Sequence, residues 1–168
     1  MTMPGGMGTW LAVFDHNGDL AGSISQRPNL MPILGLLEEK GDEIFANADS
    51  VIVEVDMDKD IIKKVVALAK QYNKKLYGVV SNMSIAVERR DFLKHFDCFI
   101  CNQLEAGMLF MEDYADKSPE ELRDILSKRV ILGKIPAMIV TMGGNGAVYA
   151  DVNGEKGICP PQRVRVKD

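Results

Sequence analysis

The residues best placed to do chemistry lie in two short stretches. The first is Thr141-Met142-Gly143-Gly144-Asn145-Gly146, which follows the apolar run Met138 to Val140. A glycine-rich turn at the end of a buried strand leaves backbone N–H groups bare, and an anion can approach them because no Cβ stands in the way. Phosphate is the usual guest of such a turn. The second stretch is Asn102-Gln103-Leu104-Glu105, after the apolar run Cys98 to Cys101. Residues three apart share one face of a first helical turn. An amide at Asn102 and a carboxylate at Glu105 can therefore meet a phosphate oxygen and a hydrated Mg²⁺, an ion that prefers oxygen ligands and keeps waters. Both stretches also have a plainer reading. The glycines can make a hairpin with no ligand, and Asn102 with Glu105 can simply cap a helix and favour its dipole.

Two commoner glycine motifs do not fit. A Walker A loop needs a Lys after its last glycine, and Ala147 follows Gly146. A dinucleotide fingerprint needs G-x-G-x-x-G opening a helix, and Tyr149 stands where its third glycine belongs. The residues after the turn, Ala147 to Val152, are strand-like, and Asn153-Gly154 signals a hairpin. The glycines thus belong to a strand–turn–strand element.

The remaining elements must position these groups. Trp10 to Phe14 and Leu20 to Ser25 flank the turn cluster Asp15 to Asp19 and read as a hairpin. Gln26 to Pro32 is a connector. Ile33 to Ala48 has helical spacing, interrupted near Gly41. Ser50 to Val55 is a buried strand, and Asp58 to Tyr72 an amphipathic helix with Ile61, Ile62, Val65, Val66, Leu68 and Ala69 on one face. Lys75 to Val80 is a strand, Ser84 to Phe96 a helix, and Asp97 to Cys101 a strand. Asn102 to Phe110 opens a short helix, and Ser118 to Arg129 is a helix with a capping box, Ser118-Pro119-Glu120-Glu121. Ile158 to Pro161 reads as a break and Arg163 to Val166 as a last short strand.

Strands alternating with amphipathic helices imply a parallel sheet with helices on both faces. Ligands bind such sheets beyond the carboxyl ends of the strands. That rule gathers Asp56 and Asp58, Ser81 and Asn82, Asn102 and Glu105, and Thr141 along one edge.

Composition limits the partners. The chain has 168 residues and a net charge of −4 with no basic tract, so it carries no electrostatic footprint for nucleic acid. No apolar stretch is long enough to span a membrane, and the first residues lack the basic and apolar regions of a signal peptide. Three cysteines without a framework fit a reducing cytoplasm. Cys98 and Cys101 form C-x-x-C, but alternation along a strand puts them on opposite faces, which fits buried thiols better than a redox or metal pair. No G-x-S-x-G elbow is present, and neither His16 nor His95 has a recognisable partner, so a hydrolase or reductase reading finds no support.

Taken together, F-I-C-N-Q-L-E-A-G-M-L-F, then M-I-V-T-M-G-G-N-G-A-V-Y, then P-P-Q-R-V-R-V-K-D, resemble the ribokinase-like (PfkB-type) carbohydrate kinases; within that family the opening hairpin and the N-Q-L-E-A-G form are most similar to pseudouridine-kinase-type members. The resemblance runs from about Trp10 to Asp168 and corresponds to the middle of that family's chain. It implies a three-layer α/β/α ribokinase-like parallel sheet, incomplete, with a small N-terminal β-hairpin from the lid region. Residues 1–28 would be tail and lid hairpin, and residues 29–168 a partial α/β domain. It implies ATP and Mg²⁺ as cofactors. Thr141, Gly143 and Gly146 would lie in the ATP site, and Asn102 and Glu105 would work with Mg²⁺ and phosphate. The partners would be a nucleotide and a sugar or nucleoside, with a homodimer through the hairpin.

The chain departs from that pattern in three places. The Gly-Ala-Gly-Asp segment whose Asp is the family's catalytic base is expected only beyond Asp168. The N-terminal Gly-Gly substrate motif has no counterpart before Trp10. The acidic residue many relatives carry near Tyr77 to Asn82 is absent, which leaves the acceptor open. The expectation is a cytoplasmic kinase fragment, inactive by itself. The alternative is a non-catalytic nucleotide-binding or protein-interaction α/β module.

Overall fold

The computed structural model describes residues 7–16, 20–81, 87, 88 and 90–162. Strands β1 (Thr9–Phe14) and β2 (Leu20–Gln26) form an antiparallel hairpin. Helix α1 (Met31–Asn47), strand β3 (Ser50–Glu54), helix α2 (Lys59–Gln71) and strand β4 (Lys75–Val79) follow. A 3-10 helix, Arg90–His95, leads into β5 (Cys98–Asn102), α3 (Gln103–Phe110) and α4 (Pro119–Gly133). Strand β6 (Ala137–Thr141), a 3-10 turn (Gly143–Asn145), β7 (Ala147–Asp151) and β8 (Lys156–Cys159) complete the described chain.

The main sheet has the order β3-β4-β5-β6-β7-β8. Strands β3 to β6 are parallel, as the alternation of strand and helix predicts, while β7 and β8 turn back antiparallel. Side chains alternate across it. Val53, Leu76, Phe99, Met138, Val140 and Val148 point to one face and are buried. Crossovers of this kind are right-handed, so three that advance in one direction bring their helices to the same face. The other face carries Ile52, Tyr77, Val79, Ile100, Ile139 and Tyr149, and these stay half-exposed or exposed; Ile52 is 69% accessible. The expected α/β architecture is present in incomplete form: among the described residues helices cover one face of the sheet, where the sequence predicts them on both.

Local chemistry explains most boundaries. Ile61, Ile62, Val65, Leu68 and Ala69 bury the apolar stripe of α2. The Ser118 hydroxyl accepts from the Glu121 N–H at 3.2 Å, the Glu121 carboxylate accepts from the Ser118 N–H at 2.9 Å, and Pro119 opens α4.

Two expectations are corrected. Helix α1 is not interrupted at Gly41: a Cβ there would lie 2.6 Å from Leu68 Cδ1, so the glycine lets α1 approach α2 closely. Of the stretch Ile158 to Pro161, read as a break, Ile158 and Cys159 instead belong to β8, and Pro160 and Pro161 follow it. That strand pairs with β7 across a turn in which Asp151 Oδ1 accepts from the Asn153 and Glu155 N–H groups. Four residues with one glycine among them are too few to show a strand period. The helix expected over Ser84 to Phe96 lies partly outside the described residues, and its described end, Arg90–His95, is a 3-10 helix. The strand expected over Arg163 to Val166 lies outside the described residues.

Candidate functional site

Strands β5 and β6 pair in parallel with Asn102 opposite Thr141. Two residues singled out far apart in the chain thus stand side by side where their strands end. The Thr141 hydroxyl is 3.4 Å from the Cys101 carbonyl oxygen, to which it donates. Beyond Thr141 the chain tightens into the glycine turn. Met142 N–H donates to the Gly146 carbonyl at 2.8 Å, Asn145 N–H to Met142 at 3.0 Å, and Gly146 N–H to Gly143 at 3.1 Å. Gly143 and Gly146 have φ of +54° and +86°, a region that L side chains rarely adopt. Nothing lies within 4 Å of where a Cβ would sit on Gly143 or Gly144, so that side of the turn is open to an approaching group.

Asn102 and Glu105 form a complete capping box at the start of α3. Asn102 Oδ1 accepts from the Glu105 N–H at 2.9 Å, and Glu105 Oε2 accepts from the Asn102 N–H at 2.7 Å. The plainer reading of N-x-x-E is therefore correct as far as it goes. The cap uses one oxygen of each side chain; the Asn102 Nδ2 amide and Glu105 Oε1 take no part in it. An amide donor and a carboxylate oxygen beside an open glycine turn suit a phosphate and a Mg²⁺ that keeps its waters. Among the described residues no three His, Cys, Asp or Glu side chains are grouped to hold a metal. The donor set thus fits an ion carried mainly by phosphate and water, and does not fit a protein cage.

On the other side of Asn102 and Glu105 lies a cavity of about 770 Å³, between the hairpin and the strand ends. Its wall includes Trp10, Arg27, Asp56, Ser81, Asn102 and Glu105. Asp56 is only 6% exposed, and its carboxylate pairs with the Arg27 guanidinium at 2.6 Å. The strand-end rule finds Asp56 and Ser81. It misses Arg27, whose one signal is a lone charge in an otherwise neutral connector. It also misses Glu54, a carboxylate inside the apolar strand. Glu54 Oε2 accepts from the Ser81 hydroxyl at 2.8 Å, while Oε1 is buried without a hydrogen-bond partner among the described residues. Burial, with the Asp56 and Glu105 carboxylates adding to it, pushes the Glu54 carboxyl above the usual range, against the pull of the Ser81 hydrogen bond.

Cys98 and Cys101 are both buried, and burial pushes both thiols up, so neither is a reactive thiolate. Asp58 stands at the N-cap position of α2 with no side-chain capping hydrogen bond and does not line the cavity, and Asn82 lies outside the described residues. Among the described residues no helix is long and apolar enough to cross a membrane.

Residues 24–168 match the model of the pfkB family of carbohydrate kinases. The chain is 34% identical over 152 residues to a guanosine-inosine kinase from Exiguobacterium acetylicum, covering 87% of this chain and 47% of that one. Among solved structures it resembles ribokinase from Giardia lamblia, with a TM-score of 0.74 at 14% identity over 96% of this chain and 51% of that one. It also resembles Arabidopsis thaliana ribokinase complexed with ribose and ATP, with a TM-score of 0.66 at 16% identity over 91% of this chain and 48% of that one. These likenesses show the fold. The chain spans about half the length of the proteins it matches.

Proposed function

The chain belongs to the pfkB family of carbohydrate kinases, and we propose that it is part of an ATP-dependent kinase that phosphorylates a hydroxyl of a sugar or nucleoside. The observation that carries this reading is the pairing of Asn102 with Thr141. It sets the N-x-x-E cap between an open glycine turn on one side and a cavity on the other. Phosphoryl transfer depends mainly on positioning and on neutralising charge, and a phosphate donor and a hydroxyl acceptor on opposite sides of one cap are positioned for it.

Thr141, Gly143 and Gly146 hold the nucleotide phosphates through the turn. Asn102 offers its amide to a phosphate oxygen, and Glu105 offers Oε1 to the hydration shell of Mg²⁺, which when bound offsets phosphate charge. Asp56, fixed by Arg27, accepts hydrogen bonds from acceptor hydroxyls. The relative whose name is guanosine-inosine kinase is consistent with a nucleoside or sugar acceptor. Because the chain spans about half the length of the relatives it matches, we propose that these residues alone bind nucleotide without efficient turnover; a general base supplied by the remainder would typically contribute about 10²–10⁴-fold. The proposed location is the cytoplasm. The outer face of the hairpin, with exposed Leu11, Val13 and Ile24, is the proposed homodimer contact.

The test is calorimetric titration with ATP and Mg²⁺, beside a coupled ADP-release assay with ribose, fructose 6-phosphate and pseudouridine. Saturable binding that is lost in Thr141→Val with Glu105→Gln is expected. Glu105→Gln keeps an acceptor for the Asn102 N–H, so the cap survives while the charge is lost. Binding indifferent to both changes would place the nucleotide elsewhere, and robust turnover by these residues alone would overturn the fragment reading.

A further inference from the structure

The cavity beneath the hairpin has two chemically different walls. One is polar, built around the buried Asp56 and its Arg27 partner. The other is apolar. Trp10 reaches it from β1, on the hairpin face that also carries Ser23 and Ser25. Leu104 and Met108 reach it from α3, four residues apart and therefore on one ridge of the helix. Trp10, Leu104 and Met108 are 61%, 64% and 60% exposed. Large apolar side chains gathered at the mouth of a concave site are the usual lining for the apolar part of a ligand.

We propose that the phosphate acceptor is a nucleoside, with its furanose hydroxyls on the Asp56–Arg27 pair and its base between Trp10 and the Leu104–Met108 ridge. The proposal rests on the kinase reading above and narrows it. Three features favour it over a free sugar or a sugar phosphate. The volume, about 770 Å³, suits a ligand larger than a lone pentose. A flat heteroaromatic ring suits an indole and two flexible aliphatic side chains, since every base has a π-face. A free sugar would leave that wall uncovered. The charge also excludes a phosphorylated acceptor. The charged residues lining the cavity among those described are Arg27, Asp56 and Glu105; the one cation is committed to Asp56, and the remaining carboxylate would repel a phosphate.

Trp10 is the only tryptophan in the chain, so its fluorescence reports on this wall directly. The experiment titrates the 168-residue chain with inosine, uridine, ribose and fructose 6-phosphate, excited at the red edge to limit absorption by the base. Equilibrium dialysis of radiolabelled inosine is the second readout. Both nucleosides should quench saturably, with ribose and fructose 6-phosphate at least roughly tenfold weaker. Leu104→Ser with Met108→Ser changes only exposed side chains, and circular dichroism checks that the fold is kept. It should weaken nucleosides roughly tenfold while leaving ribose unchanged. Asp56→Asn should weaken both classes. Ribose or fructose 6-phosphate binding as tightly as inosine would overturn the proposal, as would indifference to the Leu104 and Met108 changes. Titration with ATP and Mg²⁺ separates the two levels. Nucleotide binding without any nucleoside response overturns the nucleoside acceptor alone; absence of both overturns the kinase reading beneath it.

Discussion

Replacing Gly146 by Ala tests whether the glycine turn is held by necessity. Gly146 has φ of 86° and ψ of −133°. A non-glycine residue in such a region costs about 1–3 kcal/mol in backbone strain alone. The new Cβ would also lie 2.1 Å from the Cys159 carbonyl oxygen and 2.9 Å from the Pro161 nitrogen. Both are backbone atoms, so no side-chain rotation relieves the overlap and the end of β8 must move. Overpacking of this kind adds about 1–3 kcal/mol. The expected loss is therefore about 2–6 kcal/mol, a large share of the roughly 5–15 kcal/mol that holds a domain. Two neighbours serve as controls. Gly143→Ala meets open space but keeps φ of 54°, which costs roughly 1–2 kcal/mol. Gly144→Ala meets open space at an ordinary φ and should change stability by less than about 0.5 kcal/mol. The assay is urea unfolding followed by far-UV circular dichroism. A Gly146→Ala midpoint indistinguishable from that of Gly144→Ala would refute the reasoning, because it would mean that the turn relaxes freely away from β8.

Three further outcomes are expected. Ser118→Ala removes the acceptor for the Glu121 N–H and should cost about 1 kcal/mol in urea unfolding without changing nucleotide affinity. The Glu54 carboxyl is raised in the fold, so its favourable protonated form contributes below the unfolded value, about pH 4.3, and that contribution is lost as pH rises through the folded value. Glu54→Gln should therefore raise the melting temperature at pH 7, with the gain shrinking toward pH 4. Leu11→Lys together with Ile24→Lys, opposite one another on the hairpin, should abolish self-association seen by light scattering.

The sequence shows the sheet readily, because β3 to β6 and α2 each carry a strong period of their own. Gly41 and β8 are not legible from local pattern, because the deciding contact lies elsewhere in the chain. Leu68 turns a helix-weakening glycine into a packing device, and pairing with β7 makes a strand of residues with no pattern. The same division runs through the site. Asn102, Glu105 and Thr141 follow from type and spacing, and the register that joins them follows from the strand-end rule. Arg27 and Glu54 do not: an arginine in a connector and a glutamate in a strand gain their meaning only from Asp56 and Ser81, which the fold brings to them.

The strand order has a kinetic consequence. In the main sheet every strand pairs with its predecessor in the chain, from β3 through β8. No strand waits for a later one to be inserted beside it, so each loop closes at a cost that grows only slowly with its length. Each parallel pairing still spans a whole crossover, so the topology simplifies the order in which strands pair rather than making their contacts local. Domains also acquire structure from the N-terminus during synthesis. The sheet can therefore grow one strand at a time as the polypeptide emerges, each new edge serving as the template for the next. Of the strand ends that flank the phosphate turn, Asn102 would be set down before Thr141, and the cap before the turn it serves.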